Sequence, residues 1–140
     1  MDEALRDAIL RNVATEPFAK KMNLTVTALD DGYAVVEMPC TEETDNLFGM
    51  THGGAVFSLM DEAFQLACNS HGTVAVALNV SVTYFAPPDK GGPLRAEAAE
   101  QHRSRRTGSY RITVTDDAGR AIAACQALAY RTGKPLPFLE

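Results

Sequence analysis

The sequence predicts an α+β domain: an antiparallel sheet packed against one long, buried helix. Three observations carry this. The hydrophobic period is helical at the N-terminus and switches to two from Leu24 onward. One stretch, Gly53–Ser70, has no Pro, few β-branched residues and apolar side chains around most of its circumference. The remaining segments alternate and are joined by short turns, which pairs consecutive strands antiparallel.

Residues 2–14 place Leu5, Ala8, Ile9 and Val13 at helical spacing. Pro17 breaks that pattern and opens a second short turn through Met22. Residues 24–30 and 33–39 read as strands, and Asp30-Asp31-Gly32 between them has hairpin chemistry. A polar loop, Cys40–His52, leads into the helix over 53–70, which Gly72 is placed to end. Its polar strip is Ser58, Asp61, Glu62, Gln65 and Asn69.

Beyond it, 74–85 puts Val76, Leu78, Val80, Val82 and Tyr84 on one face, until Pro87 and Pro88 stop the strand. Segments 94–103, 109–115 and 121–130 follow. The last has a face of Ala121, Ala123, Cys125, Ala127 and Ala129, small enough for the helix to approach, and an opposite face of Ile122, Leu128 and Tyr130. An apolar Val76–Tyr84 row on a single-layer sheet predicts association through that sheet or its edge.

The 140 residues, 46% hydrophobic, suit a single domain with no metal or disulfide staple. Residues 1–22 form an N-terminal helical segment and 133–140 a tail. The net charge of −5 argues against a nucleic-acid partner. Three scattered cysteines without a CxxC fit a reducing compartment, and neither a signal peptide nor a membrane span is evident. A soluble, cytoplasmic protein is expected. The three histidines show no metal spacing.

The chemistry-bearing stretch is Asn46 to Gly54, followed by Asp61. Two glycines opening a helix offer backbone N–H donors at its positive end, a candidate oxyanion hole, with Asn46 and His52 beside it. A flexible turn would read the same way. Asp61 among apolar neighbours is a candidate general base or nucleophile with a raised pKa. Alternatively, it is a carboxylate hydrogen-bonded to Ser58 or Gln65. Asp61 lies eight residues past Gly53, about 12 Å along a helix. One carbonyl cannot touch both within a single chain. If both act on one substrate, the second comes from another copy, and antiparallel helices in a two-fold dimer supply it.

The run NLFGMTHGGAVFSLMDEAFQLACNSHG, followed by SVTYFAPP, resembles the hotdog-fold acyl-CoA thioesterases, and within them the phenylacetate-pathway (PaaI-type) branch. The resemblance spans roughly residues 20–132. It implies a five-stranded antiparallel sheet wrapped around one long helix, in homodimers with shared sites that often pair into tetramers. It implies an acyl-CoA substrate, aromatic or medium-chain, with coenzyme A part of the substrate and no separate cofactor. The Gly53 amide would polarise the thioester carbonyl, with Gly54 beside it. Asn46 would hold the thioester or water, His52 would orient the loop, and the partner's Asp61 would be base or nucleophile. Some relatives support that carboxylate with a Ser or Thr where this chain has Ala77; Gln65 or Asn79 would have to substitute. The basic turn Arg103-Ser104-Arg105-Arg106-Thr107 is the candidate site for the nucleotide phosphates, although a solvated turn would look alike. Met50, Phe57 and Phe64 are candidate acyl-pocket walls or simply core. Cys68 and His71, three apart, read as structural. The competing readings are a non-catalytic acyl-CoA-binding protein and a hotdog hydratase or dehydratase.

Overall fold

A computed structural model describes residues 1–139. The elements run α1 (Glu3–Val13), α2 (Pro17–Lys21), β1 (Thr25–Asp30), β2 (Tyr33–Pro39), α3 (Gly53–Asn69), β3 (Thr73–Tyr84), β4 (Pro93–Arg103), β5 (Thr107–Thr115) and β6 (Ala121–Pro135). All six strands join one antiparallel sheet in the order β1-β2-β4-β5-β6-β3. The family pattern of five strands is thus exceeded by one. The tail expected from residue 133 is instead partly strand, since β6 runs to Pro135 and Leu136 is buried. No helix among the described residues is long and apolar enough to cross a membrane.

The β1–β2 hairpin closes where Gly32 takes φ +64°, a left-handed conformation that glycine adopts without strain. A Cβ there would also meet Glu100 at 2.7 Å, so the turn needs glycine twice over.

The sheet wraps α3. Leu59, Met60, Ala63, Phe64, Leu66 and Ala67 are buried against Val36, Met38, Leu94, Ala96, Ile112 and Val114. Phe64 meets Tyr110 edge-on at 5.5 Å, which makes Phe64 core and not an acyl-pocket wall. Ala123, Cys125, Ala127 and Ala129 do face the core, as their small size predicts. Ile122 is buried as well, so the opposite face of β6 is less uniformly exposed than alternation implies.

Both ends of α3 are fastened to β3. The Tyr84 hydroxyl donates to the Gly53 carbonyl at 3.2 Å, and Asn69 exchanges two hydrogen bonds with the Ala75 backbone, at 2.9 and 3.1 Å. A bulge between Ala77 and Asn79 changes the alternation of β3. Ala77, Val80, Val82 and Tyr84 pair with the core-facing alanines and cysteine of β6 and share their face. Val76 and Asn79 pair with Tyr130 and Leu128 on the outer face. The predicted apolar row is therefore split, because period two does not survive an extra residue. β3 is an edge strand, and Val76, Leu78, Tyr84 and Phe85 beside it are each about half-exposed.

Candidate active site

The start of α3 is built around His52. An α-helix leaves its first four N–H groups without intrahelical partners. His52 accepts from three N–H groups here: its Nδ1 from Gly54 at 2.8 Å, and its carbonyl from Ala55 and, in the first intrahelical bond, from Val56, while its own N–H donates to the Thr44 carbonyl. The Gly53 N–H is left, with no acceptor among the described residues. His52 is thus the N-cap. Accepting at Nδ1 places its ring proton on Nε2.

Asn46 organises the loop before the cap. Its side-chain Oδ1 accepts from Phe48 N–H at 2.9 Å and Met50 N–H at 3.1 Å. Asn46, Met50 and Gly53 line one groove of about 290 Å³, together with Thr51, Tyr84 and Phe85. A Cβ on Gly53 would meet only the Tyr84 ring, at 3.7 Å, which is ordinary contact. Nothing within the chain demands glycine there, and the residue lines the groove with its N–H unpaired among the described residues.

Asp61 lies on the exposed line of α3 formed by Gly54, Phe57, Asp61 and Gln65. In the single chain it is exposed, not enclosed by its apolar neighbours. Neither Ser58 nor Gln65 bonds it: Ser58 donates to the Gly54 carbonyl, and Gln65 donates to Glu16. Partial desolvation, and then the Glu16 charge, raise its carboxyl above the usual carboxylate range. Glu62, expected in the polar strip, is 4% exposed instead.

Other predicted residues are scattered. Asn79 sits on the outer sheet face, away from α3, because the bulge reverses its direction. The turn Arg103–Thr107 is closed by Ser104 bonding Thr107, while Arg106 donates to the Tyr130 hydroxyl and Arg103 pairs with Glu100. Arg105 makes no ion pair among the described residues. The turn pairs onto Tyr130, which faces Val76, whereas Gly53 is tied to Tyr84. Eight residues of strand separate those levels, about 26 Å. The basic turn and the Gly53 donor thus lie toward opposite ends of one chain.

Burial pushes the thiols of Cys68 and Cys125 up to about 12 and about 11, so neither is a ready nucleophile. His71 bonds Glu100 at 2.8 Å and does not partner Cys68. Among the described residues no cluster of His, Cys, Asp or Glu could hold a metal ion.

Three participants were not legible in the sequence. Tyr84 reaches the Gly53 carbonyl, the Thr51 hydroxyl is buried beside the groove without a partner among the described residues, and Glu16 contacts the Asp61 helix.

Residues 48–123 match the family model described as thioesterase superfamily, and those residues span both the capped helix start and Asp61. The chain belongs to the thioesterase superfamily. This thioesterase is 35% identical over 115 residues to the acyl-coenzyme A thioesterase PaaI of Escherichia coli, covering 82% of each chain. The solved structure of E. coli PaaI superposes with a TM-score of 0.89 at 30% identity, covering 94% of this chain and 95% of that one. A Streptococcus mutans protein solved bound to acetyl-CoA matches with a TM-score of 0.77 at 27% identity, covering 81% and 92%. The thioesterase is of the PaaI type, has the hotdog fold and is a thioester hydrolase.

Proposed function

We propose that this thioesterase hydrolyses an acyl-CoA, aromatic (phenylacetyl-type) or medium-chain, at sites shared by two copies of the chain. The observation that carries this is the donor left at the start of α3: His52 accepts from three N–H groups, and that of Gly53, a residue lining the groove, has no acceptor among the described residues. The relative bound to acetyl-CoA supports the substrate class, and the E. coli PaaI protein, from the phenylacetic acid degradation operon, supports the aromatic end of the acyl range.

In this reading the thioester carbonyl accepts from Gly53 N–H, where the helix dipole favours developing negative charge. Asn46 keeps the groove in shape through Phe48 and Met50. Asp61 of a second copy takes the proton of an attacking water, or attacks the carbonyl itself to give an acyl–Asp61 anhydride that water then hydrolyses to the free acid and the regenerated carboxylate. The carbonyl carbon gains an oxygen, the C–S bond breaks, and the coenzyme A thiolate leaves without needing much acid assistance. Coenzyme A enters as part of the substrate, and its phosphates are held at Arg103–Thr107.

The two-copy site follows from reach, since about 12 Å along the helix axis separates Gly53 from Asp61. Exposed apolar side chains stand on α3 (Phe57) and on or just past the edge strand β3 (Leu78 and Phe85), which suits both elements to a second copy. Dimers of this kind pairing again as a tetramer fit the family pattern.

The test is release of free coenzyme A from a panel of acyl-CoAs, followed with a thiol reagent. Asp61→Asn abolishes release while the oligomer persists. Binding without thiol release, or near-normal turnover in Asp61→Asn, contradicts the proposal.

A further inference from the structure

The turn between α1 and α2 brings to α3 a carboxylate that the mechanism above does not use. Glu16, just before Pro17, accepts from the Gln65 amide at 2.9 Å. Its carboxyl also meets that of Glu62, within hydrogen-bond reach once one of the two carries a proton. Glu62 is 4% exposed, and its Oε1 has no partner among the described residues. No described cation pairs with Glu16, Asp61 or Glu62.

Two ionised carboxylates held together without a cation repel strongly away from water. One shared proton converts that repulsion into a charge-assisted hydrogen bond. Glu62 is the group that holds it. Burial first, and the Glu16 charge second, push its carboxyl well above the usual carboxylate range.

We propose that Glu16 is a positioning residue of the thioesterase site, sharing the proton of Glu62 and pinning the Gln65 side chain one helical turn beyond Asp61. It touches no substrate and acts through its neighbours. Its charge makes Asp61 harder to ionise and therefore a stronger base. Cys68 on α3 and Cys125 on β6 also feel Asp61 and remain neutral thiols. The kinetic part of this inference rests on Asp61 being the base; the shared proton is a property of the single chain.

The test combines infrared spectra of the full protein, with isotope-labelled glutamate, and pH profiles of kcat/KM. Wild type at neutral pH shows a protonated glutamic acid band, and Glu62→Gln loses it. Glu16→Gln moves the acid limb of kcat/KM to lower pH by up to about one unit, as loss of a nearby like charge requires. Glu62→Gln, whose amide still donates to Glu16, keeps the limb in place. Absence of the band at neutral pH, or a Glu16→Gln profile superimposable on wild type, overturns the proposal. Failure of the Asp61 reading looks different: Asp61→Asn stays active while the band still depends on Glu62.

Discussion

The Gly54 N–H donates to His52 Nδ1 at 2.8 Å, so the helix carrying Asp61 is capped by the side chain immediately before it. That bond decides which glycine can meet a substrate. Gly54 is spent on the cap, and Gly53 is free.

Gly53→Pro isolates the donor. Proline is favoured at the first helical position, and His52 already has φ −63° and ψ 137°, which the residue before a proline accepts. The added Cβ makes ordinary contact with the Tyr84 ring, at 3.7 Å. The helix should therefore form normally while the N–H is lost. A drop in kcat of about 10²–10³ is expected, with an unchanged circular dichroism spectrum and melting temperature near wild type.

Gly54→Ala tests the cap. Its Cβ would stand 3.0 Å from His52 Nδ1, so the ring must give by a few tenths of an ångström and its bond to Gly54 weakens. A lost cap costs about 1 kcal/mol, and alanine in place of a helical glycine returns a similar amount. Urea unfolding should therefore stay near wild type while turnover falls; wild-type turnover would contradict a cap that shapes the site.

Arg105 is the arginine of the β4–β5 turn whose side chain has neither an ion pair nor a hydrogen bond among the described residues, whereas Arg106 donates to the Tyr130 hydroxyl and Arg103 pairs with Glu100. Arg105→Gln should raise KM several-fold with kcat nearly unchanged, because phosphate contacts hold substrate and transition state alike. The difference should shrink at high salt.

Stability should vary with pH through Glu62. Its carboxyl is raised in the folded chain, so the folded state retains a proton that the unfolded chain releases. Stability is then full below the ordinary carboxylate range, falls as pH rises from there, and levels off above the raised value. The slope from this group is at most about 1.4 kcal/mol per pH unit. Glu62→Gln removes it, which denaturant midpoints at about pH 5 and about pH 8 would reveal. Equal slopes in the variant and wild type would place the proton elsewhere.

Much of the fold was legible because period and punctuation agree along the chain. The change of period at Leu24, the uninterrupted apolar stretch from Gly53 and the turn residues Asp30–Gly32 place α3 and the first two strands within a residue or two, whereas β6 runs five residues past its expected end. The face of β3 was not, because the bulge at Ala77–Asn79 leaves no mark in the alternation and sends Asn79 outward. The same limit applies to the site. Gly53, His52 and Asp61 lie on one helix, where spacing fixes their relations. Glu16 meets Glu62 and Gln65 across 46 and 49 residues of chain, and only the docking of the α1–α2 turn brings them together. Glu62 itself sits at polar-strip spacing, and nothing in that spacing shows which helix face the turn will cover.

The shared site is the central claim, and mixing two inactive chains tests it directly. Asp61→Asn and Gly53→Pro are each inactive alone, because every site in either homodimer lacks one partner. When the two are unfolded together and refolded in equal amounts, half the dimers are mixed, and each mixed dimer carries one intact site. The account predicts recovery to about a quarter of wild-type acyl-CoA hydrolysis. Activity no higher than that of the separate variants would contradict it.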